Sequence, residues 1–256
     1  MIDMHCHILP GIDDGPRTLA ESLELAKLAE RDGITTIVAT PHHQHPSFMN
    51  DGPSVLRAVD ELNTQLKENN INIEVVPSQE IRIHGDMIEQ LKVGDLLTYG
   101  QDNQYLLIEF PSNHIPHYTT KLFYDLQVNN YIPIIAHPER NKVLIEKPDI
   151  LYDFVKNGAL AQVTSSSITG HFGKKIKKFS EQLVEANLAH FIASDAHNQG
   201  ERPFRLQEAY GLIEKEFGTN VVFGFKENAE LLVEGKHVFG GQPERVIARK
   251  KVFGIF

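Results

Sequence analysis

The 256-residue sequence predicts an α/β fold in which parallel strands close into a barrel. Short runs of β-branched and aliphatic residues alternate along the chain with amphipathic helical patterns. These runs are apolar almost without interruption, which is typical of parallel strands buried on both faces. About seven such units occur, and no glycine-rich dinucleotide signature opens any of them, which favours a barrel over a doubly wound sheet.

Each strand is predicted where β-branched and aliphatic residues cluster between turn residues. In chain order the strands are Met1–His5, Ile34–Thr40, Asn72–Pro77, Tyr105–Phe110, Tyr131–Ala136, Leu160–Val163 and His190–Ala193. A helix is predicted to begin at a capping box at Thr18 and to end at Gly33. The other predicted helices lie around residues 56–66 and at Lys121–Asn129, Asp149–Asn157, Lys174–Asn187 and Leu206–Phe217.

Composition and charge limit the class of protein. A hydrophobic fraction of 41% can fill one large core, so we expect a single domain over residues 1–256 with a short basic tail at about 243–256. The net charge of −9 argues against a general affinity for nucleic acid or anionic membrane. A single cysteine, no leader-like N-terminus and no apolar run of spanning length predict a cytoplasmic protein without membrane insertion. The oligomeric state is left open.

Imidazoles and carboxylates recur at the ends of the predicted strands, where a parallel barrel carries its functional side chains. They are His5 and His7 after the first strand, His42 and His43 after the second, Glu80 after the third, Glu109 at the end of the fourth, His137 after the fifth, and Asp195 and His197 after the seventh. The sixth strand is followed only by the polar loop 164–167. One such residue is weak evidence, but a set in phase with the strand ends predicts a shared site.

This mixture of imidazoles and carboxylates is a ligand set for Zn, Mn or Fe. A carboxylate shared between ions lets two or three cations lie about 3.5–4 Å apart, which suits phosphoester hydrolysis. The sequence therefore predicts a polynuclear metal site. Cys6 lies between His5 and His7, and strand alternation turns it to the opposite face, so we predict a buried packing residue and not a nucleophile.

The motifs around these residues resemble the polymerase-and-histidinol-phosphatase (PHP) superfamily. DMHCHILPGIDDG, ATPHH, QEIRI, LIEFP, IAHPERN and SDAHN, in this order, are similar to the manganese-dependent protein-tyrosine phosphatases of bacterial capsule and exopolysaccharide operons, the CpsB/CapC/YwqE type. The resemblance runs from residue 1 to at least residue 230. It implies a distorted seven-stranded, TIM-like (β/α) barrel of the PHP type that binds three ions, with Mn²⁺ expected and Zn²⁺ or Fe as alternatives.

By the same resemblance, the ligands divide among three ions. The implied sets are His5, His7, Glu80 and Asp195 for the first ion, Glu80, Glu109 and His137 for the second, and Asp14, His42 and His197 for the third. The choice of Asp14 over the neighbouring Asp13 comes from the family alone.

Two arginines and one histidine are predicted to act on the substrate. Arg140 and Arg202 lie on loops that carry ligands, and a planar guanidinium suits a bidentate contact with phosphate. The family has arginines at matching positions. His43 is a candidate proton donor to the leaving group.

The resemblance implies hydrolysis of phosphotyrosine on a bacterial tyrosine kinase that controls capsule or exopolysaccharide synthesis. We expect attack by a hydroxide that bridges two ions, and a phenolate leaves readily because its conjugate acid has a pKa near ~10. The alternatives are a small-molecule phosphomonoesterase of the histidinol phosphatase kind and a non-catalytic metal-bound scaffold. An amidohydrolase is disfavoured because strand four ends in Glu109, where that class usually has a modified lysine. The acidic charge disfavours a DNA exonuclease.

Overall fold

The computed structural model describes residues 1–99 and 104–247. Within these ranges the strands are β1 Ile2–Cys6, β2 Thr36–Ala39, β3 His42–His43, β4 Glu74–Pro77, β5 Glu80–Arg82, β6 Tyr105–Glu109, β7 Ile132–Ala136, β8 Leu160–Thr164 and β9 Phe191–Ala193. The α-helices are α1 Leu19–Arg31, α2 Gly52–Glu68, α3 Met87–Val93, α4 Thr119–Val128, α5 Lys142–Glu146, α6 Asp149–Lys156, α7 Ser165–Ile168, α8 Lys174–Glu185, α9 Leu206–Phe217 and α10 Thr219–Val233. A 3₁₀ turn covers Pro138–Arg140.

All strand pairs in the two sheets are parallel, so the predicted α/β class is confirmed. One sheet has the order β1-β2-β4 and the other has the order β3-β5-β6-β7-β8-β9. The predicted second and third strands correspond to β2 and β4. Two short strands that were not predicted follow them, β3 after residues 40–41 and β5 after residues 78–79. Pro41, which has no N–H to donate, lies in the gap between β2 and β3.

The end of β9 meets the end of β1. The N–H of Asp195 donates to the carbonyl of His5 (2.8 Å), and the N–H of His7 donates to the carbonyl of Ala196 (2.9 Å). Cys6 and Ala196 form an isolated parallel bridge. The first and last strands therefore bring their carboxyl ends to the same place.

Apolar side chains cover both faces of the strands, as expected for parallel sheets. Along β6, Leu106 and Ile108 belong to the large cluster that packs against the helices, whereas Tyr105 and Leu107 belong to a smaller cluster on the other face. A register shift in β1 between Asp3 and Cys6 adds one residue relative to β2. Because of this bulge, Met4 packs in the smaller cluster although Cys6, two residues later, packs in the large one.

Helix boundaries follow local signals where the sequence carries them. Thr18 caps α1 by accepting the N–H of Glu21 (3.3 Å), as predicted. Gly33 adopts φ +82° directly after the helix, and the N–H of Ile34 donates to the carbonyl of Ala29 (3.0 Å), which completes a Schellman-type end. The sequence analysis missed α10, because its opening residues 219–225 are rich in β-branched and aromatic residues.

The C-terminal residues up to 247 pack on the rest of the chain. The Arg245 guanidinium lies 2.7 Å from an Asp149 carboxylate oxygen and 4.4 Å from the centre of the Tyr152 ring. The N–H of Glu244 donates to the carbonyl of Ala186 (2.8 Å). The remainder of the predicted basic tail, residues 248–256, lies outside the described residues. Across the described part of the chain, no helix combines the length and apolarity needed to span a bilayer.

Candidate metal centre

The structure gathers the predicted imidazoles and carboxylates at the carboxyl ends of the strands. Four overlapping sets have ligand atoms within 4.8 Å of one another: His7, Asp14, His42 and His197; His5, His7 and Glu80; His5, His137 and Asp195; and His42, Glu80 and Glu109. All nine predicted ligands occur in these sets. All are buried except Asp14, whose side chain is 45% exposed. The cluster therefore opens to solvent on the Asp14 side.

The best-defined arrangement is that of His5, His7, Glu80 and Asp195. The two Nε2 atoms of the histidines lie 3.3 Å apart. Asp195 Oδ1 lies 3.3 and 3.5 Å from them, and Glu80 Oε2 lies 3.6 and 3.4 Å from them. Two ligand atoms bound to one ion at about 2.1 Å and about 100° apart are separated by about 3.2 Å. The observed spacing is that of neighbouring ligands on a common cation.

The Nε2 atoms of His5 and His7 face one another, and each ring is held through its other nitrogen. The Nδ1 of His5 lies 2.9 Å from Gln162 Oε1, and the Nδ1 of His7 lies 2.7 Å from Asp13 Oδ2. Because both partners are acceptors, each Nδ1 carries a proton, and Nε2 is the ring atom left to bind a cation or a second proton. Burial lowers the pKa of both imidazoles, but the neighbouring carboxylates raise it by more, so the pocket favours positive charge at these nitrogens. A metal ion between the two Nε2 atoms, 3.3 Å apart, would supply that charge.

Buried oxygens without hydrogen bonds support the same interpretation. Neither Glu80 Oε2 nor Asp195 Oδ1 has a hydrogen-bond partner among the described residues, although both are fully buried. An unpaired buried carboxylate oxygen is costly, and native structures satisfy nearly all such groups. These two oxygens point at the histidine nitrogens, where a divalent cation would satisfy them.

The remaining ligands pair partly as predicted. Asp14 Oδ1 lies 3.2 Å from His197 Nε2 and 3.5 Å from His42 Nε2, which matches the predicted third set. His137 Nε2 lies 2.6 Å from Glu80 Oε1. Glu109, in contrast, forms a compact set with His42 and Glu80, so the predicted trio of Glu80, Glu109 and His137 is not itself one of the sets found in the described residues.

The electrostatics keep two central carboxylates ionised although they are buried. Burial raises the pKa of Glu80, but the imidazoles of His5, His42 and His137 lower it by more. The pKa of Glu80 therefore lies well below its ordinary value. Asp195 behaves in the same way, with Arg202, His5 and Arg140 outweighing burial and lowering its pKa. Permanent negative charge on Glu80 and Asp195 favours cations at the centre.

Burial has the opposite consequence for the peripheral members. Burial and the Glu80 charge raise the pKa of Glu109 to about 7. Burial, with Arg140 adding to it, lowers the pKa of His137 to about 4, and burial followed by His7 lowers that of His197 to about 4. Neutral imidazoles are the form that ligates metals.

Arg140 and Arg202 both reach the cluster through Asp195. Each donates to Asp195 Oδ2, Arg202 from Nη2 at 2.5 Å and Arg140 from Nη1. Arg202 Nη1 also donates to His197 Nε2 at 2.8 Å. The structure thus brings both predicted arginines to the site, and their other N–H groups are available to further acceptors.

His43 is not brought to the cluster. It follows His42 on β3, where strand alternation turns it the other way. Its Nδ1 donates to the carbonyl of Asn50 at 2.7 Å, and burial lowers its pKa. The predicted proton-donor role of His43 therefore has no support from the geometry.

Two residues that position ligands were missed by the sequence analysis. Asp13 holds His7 through Nδ1 and also accepts the backbone N–H of His42 at 3.2 Å. Gln162, on the sixth predicted strand, holds His5. A carboxylate or amide behind a ligating histidine fixes its ring and its tautomer. A glutamine inside an otherwise apolar strand, as in LAQVT, was the available signal.

The turn that carries Asp195 is held by Asp3. Asp195 adopts φ +53°, a left-handed conformation that is costly for a residue with a side chain. Ser194 donates its N–H to Asp3 Oδ1 at 2.8 Å and its hydroxyl to Asp3 Oδ2, and its Oγ accepts the N–H of Ala196 at 3.0 Å. These bonds fix the strained turn and direct the Asp195 carboxylate into the cluster. His137, at φ +32°, is a second residue of the cluster in this conformation.

A cavity of about 610 Å³ lies on the exposed side of the cluster, lined by Asp14, Arg17, Glu21, His197 and loop residues 198–201 among others. Its volume lies within the range of ligand pockets, and it is much larger than a phosphate requires. The site therefore has a buried polar centre and an open approach.

A parallel α/β fold with buried imidazoles and carboxylates at the strand ends is typical of metal-dependent hydrolases. Residues 1–234 match the family described as "Capsular polysaccharide synthesis, CpsB/CapC". The chain belongs to the CpsB/CapC family.

Similar proteins cover the whole chain. Tyrosine-protein phosphatase YwqE of Bacillus subtilis is 50% identical over 256 residues, which is 100% of both chains. The putative tyrosine-protein phosphatase CapC of Staphylococcus aureus is 42% identical over 100% of both chains. Tyrosine-protein phosphatase CpsB of Streptococcus agalactiae is 30% identical over 93% of this chain and 100% of its own.

Solved structures agree with these relatives. One, from crystal structures of YwqE of Bacillus subtilis and CpsB of Streptococcus pneumoniae, described as unique metal-dependent tyrosine phosphatases, is 50% identical, has a TM-score of 0.94 and covers 97% of this chain and 100% of its own. A mutant of the organophosphorus hydrolase of Deinococcus radiodurans, 14% identical with a TM-score of 0.53, covers 90% of this chain and 92% of its own and shows likeness of fold alone.

Proposed function

We propose that this protein is a metal-dependent protein-tyrosine phosphatase that hydrolyses phosphotyrosine. The observation that carries the proposal is the facing pair of Nε2 atoms of His5 and His7, 3.3 Å apart, next to oxygens of Glu80 and Asp195 that have no hydrogen-bond partner among the described residues. Relatives named tyrosine-protein phosphatases, at 30–50% identity over nearly all of the chain, support the substrate class.

The metal ions are proposed to be three Mn²⁺, with Zn²⁺ or Fe as alternatives, held by the nine residues of the cluster. These are His5, His7, Asp14, His42, Glu80, Glu109, His137, Asp195 and His197. Glu80 is the proposed bridge because it lies within 3.6 Å of His5, His7, His42 and His137. When bound, such cations polarise the phosphoryl group and lower the pKa of water.

The chain's own residues have three tasks in this reaction. Asp13 and Gln162 hold His7 and His5 in the tautomers whose Nε2 can ligate. Arg140 and Arg202, anchored on Asp195, contribute N–H donors and positive charge for the phosphoryl oxygens. The tyrosine phenolate, with a conjugate acid of pKa near ~10, leaves without a strong proton donor, which is consistent with the position of His43.

The substrate in the cell is proposed to be a bacterial tyrosine kinase that controls capsule or exopolysaccharide synthesis, encountered in the cytoplasm. Membership of a family described by capsular polysaccharide synthesis supports this. We also propose that residues 1–256 form one domain and that the two sheets are parts of one distorted seven-stranded barrel. The Cys6–Ala196 bridge between β1 and the end of β9 supports the barrel.

The test is phosphate release by chelator-stripped protein before and after addition of Mn²⁺, with a phosphotyrosine peptide and histidinol phosphate as parallel substrates. Restoration of turnover on the peptide alone is the expected result. Turnover of histidinol phosphate alone would indicate a small-molecule phosphatase. Metal binding without turnover of either substrate would indicate a non-catalytic metal-bound scaffold. Parallel additions of Zn²⁺ and Fe²⁺ test the identity of the metal.

A further inference from the structure

A short turn carries two aromatic rings next to the metal cluster. Residues 45–48, called here the aromatic turn, have the sequence His-Pro-Ser-Phe. The N–H of Phe48 donates to the carbonyl of His45 at 3.1 Å, and the two residues form an antiparallel bridge. Pro46 occupies the second turn position, where its fixed φ favours the turn. Because residues paired in this way project to the same side of a ribbon, the rings of His45 and Phe48 lie side by side.

The two rings continue an aromatic surface that begins at a metal-cluster residue. The ring of His45 is stacked on that of His42, with centroids 4.7 Å apart and planes 20° apart. Phe48 is 5.4 Å from His45 at 22°, and 5.9 Å from His42 at 8°. His42 itself lies 2.9 Å from Glu80 through Nδ1 and 3.5 Å from Asp14 through Nε2. The aromatic surface therefore starts at the cluster and extends outward from it.

Support of His42 does not by itself require these rings. The backbone of His42 is already fixed, since its N–H donates to Asp13 at 3.2 Å and its carbonyl accepts the Asn50 amide at 2.9 Å. His45 and Phe48 are only half-buried, so part of each ring remains available to a ligand. The neighbouring Met49 is 63% exposed and adds apolar surface at the same rim.

Charge and aromatic surface are placed on different members of the cluster. The guanidinium groups of Arg140 and Arg202 gather at Asp195, whereas the aromatic turn gathers at His42. A phosphoryl group needs the cationic environment at Asp195. An aryl group joined to it through a single ester oxygen needs the aromatic surface at His42. An alkyl phosphate would use only the cationic part.

We propose that the aromatic turn binds the phenyl ring of phosphotyrosine and makes the site select aryl over alkyl phosphomonoesters. The inference rests on the proposed function and adds the residues that determine its specificity. Phe48 contributes the larger ring surface, by offset stacking on the substrate ring. Aromatic pairs of this kind contribute about 0.5–1.5 kcal/mol beyond the apolar area that they bury.

The test measures binding first, so that it does not depend on turnover. Phenylphosphonate and methylphosphonate are titrated into Mn²⁺-loaded wild-type, Phe48→Ala and Phe48→Trp proteins by calorimetry. We expect wild type to prefer phenylphosphonate, Phe48→Ala to weaken phenylphosphonate binding about tenfold while methylphosphonate is unchanged, and Phe48→Trp to retain the preference. Mn²⁺ affinity, measured by chelator competition, should be unchanged in both variants. Phe223→Ala, an exposed phenylalanine on α10, is the matched control and should behave as wild type.

Two results would overturn the inference. Equal binding of the two phosphonates by wild type would show that the turn contributes nothing to aryl recognition. A Phe48→Ala protein that loses both phosphonates alike, or loses Mn²⁺ affinity, would show that the ring only positions His42. Phosphate release from phosphotyrosine and phosphoserine peptides of one sequence completes the test. A wild-type preference for phenylphosphonate without turnover would refute the proposed function while leaving the aryl subsite intact.

Discussion

Buried polar residues lie at both ends of β9, but only at one end do their polar groups pair with one another. Before the strand, His190 accepts the N–H of Ala161 on Nδ1 at 3.2 Å, and its carbonyl accepts the Asn228 amide at 3.0 Å. Asn228 also accepts the N–H of Phe239 at 3.1 Å. After the strand, Asp195 Oδ1 has no hydrogen-bond partner among the described residues and faces the Nε2 atoms of His5 and His7.

The difference teaches how a buried histidine that stabilises the fold can be told from one that binds a ligand. At the His190 end, donors meet acceptors, so the polar groups satisfy one another. At the Asp195 end, two imidazole nitrogens and two carboxylate oxygens without hydrogen bonds converge on one point, an arrangement that a bound cation would complete. Complementary pairing indicates structure, and convergence of like groups indicates a binding site.

The largest effect is expected from Glu80→Gln. The substitution keeps the shape of the side chain and removes the charge that four imidazoles face, so phosphate release should fall to the uncatalysed background with Mn²⁺ present. The fall is measured as phosphate release from a phosphotyrosine peptide, and Mn²⁺ affinity is measured in parallel. Glu74→Gln, an exposed glutamate on β4, is the control and should retain full activity. Turnover by Glu80→Gln at the wild-type rate would show that the Glu80 charge is not required for the reaction.

Next in size is a substitution at the other end of β9. Phe191 is fully buried in the smaller cluster, so Phe191→Ala should lower the free energy of unfolding by about 3–5 kcal/mol, with a smaller loss for Phe191→Leu. Urea unfolding measures the loss. In the folded fraction, Mn²⁺ affinity should equal that of wild type. A parallel loss of Mn²⁺ affinity in the folded Phe191→Leu protein would contradict the separation of the two ends.

A pH effect of similar size is expected from His190. Burial lowers its pKa to about 4, below the value of about 6.5 in the unfolded chain, so folding favours the neutral ring. This contribution is complete above about pH 6.5 and is lost as the pH falls toward about 4, by about 3 kcal/mol in total. Metal-free wild type and His190→Asn, which retains an acceptor near the Nδ1 position, are compared by urea unfolding across that window. Identical slopes would show that His190 is not the group responsible.

A smaller effect is expected at the residue that holds His7. Asp13→Asn should weaken Mn²⁺ affinity about 10–100-fold, because it removes the charge that fixes the His7 tautomer. Chelator competition measures the affinity. The control is Asp51→Asn at the N-cap of α2, which should leave the metal affinity unchanged. An unchanged Asp13→Asn affinity would mean that the ring is held by packing alone.

The smallest effect is expected at Cys6. Its thiol is buried in the large apolar cluster and donates to the Ala196 carbonyl at 3.5 Å, and burial, with nearby carboxylates adding to it, raises its pKa well above the ordinary value. Cys6→Ala should keep most of the phosphatase activity and lower stability by only about 1 kcal/mol. A Cys6→Ala protein that folds and binds Mn²⁺ but has no activity would indicate that the thiol is a nucleophile.

The sequence by itself determined the α/β class, the parallel pairing and eight of the nine imidazoles and carboxylates, whereas Asp14 came from the family resemblance. Those properties depend on local periodicity and on the position of a residue relative to a strand end, and both are visible along the chain. The sequence also separated Cys6 from its two histidine neighbours, because strand alternation is a local rule.

Only the tertiary structure decided how those residues are combined. The roles of Asp13 and Asp14 differ because one lies behind His7 and the other between His42 and His197, a distinction that adjacent carboxylates in a loop do not carry. Gln162 reaches His5 across 157 positions of sequence, and Glu109 joins His42 instead of His137. Such contacts depend on sheet register and on the bulge in β1, which are set by packing of the whole fold.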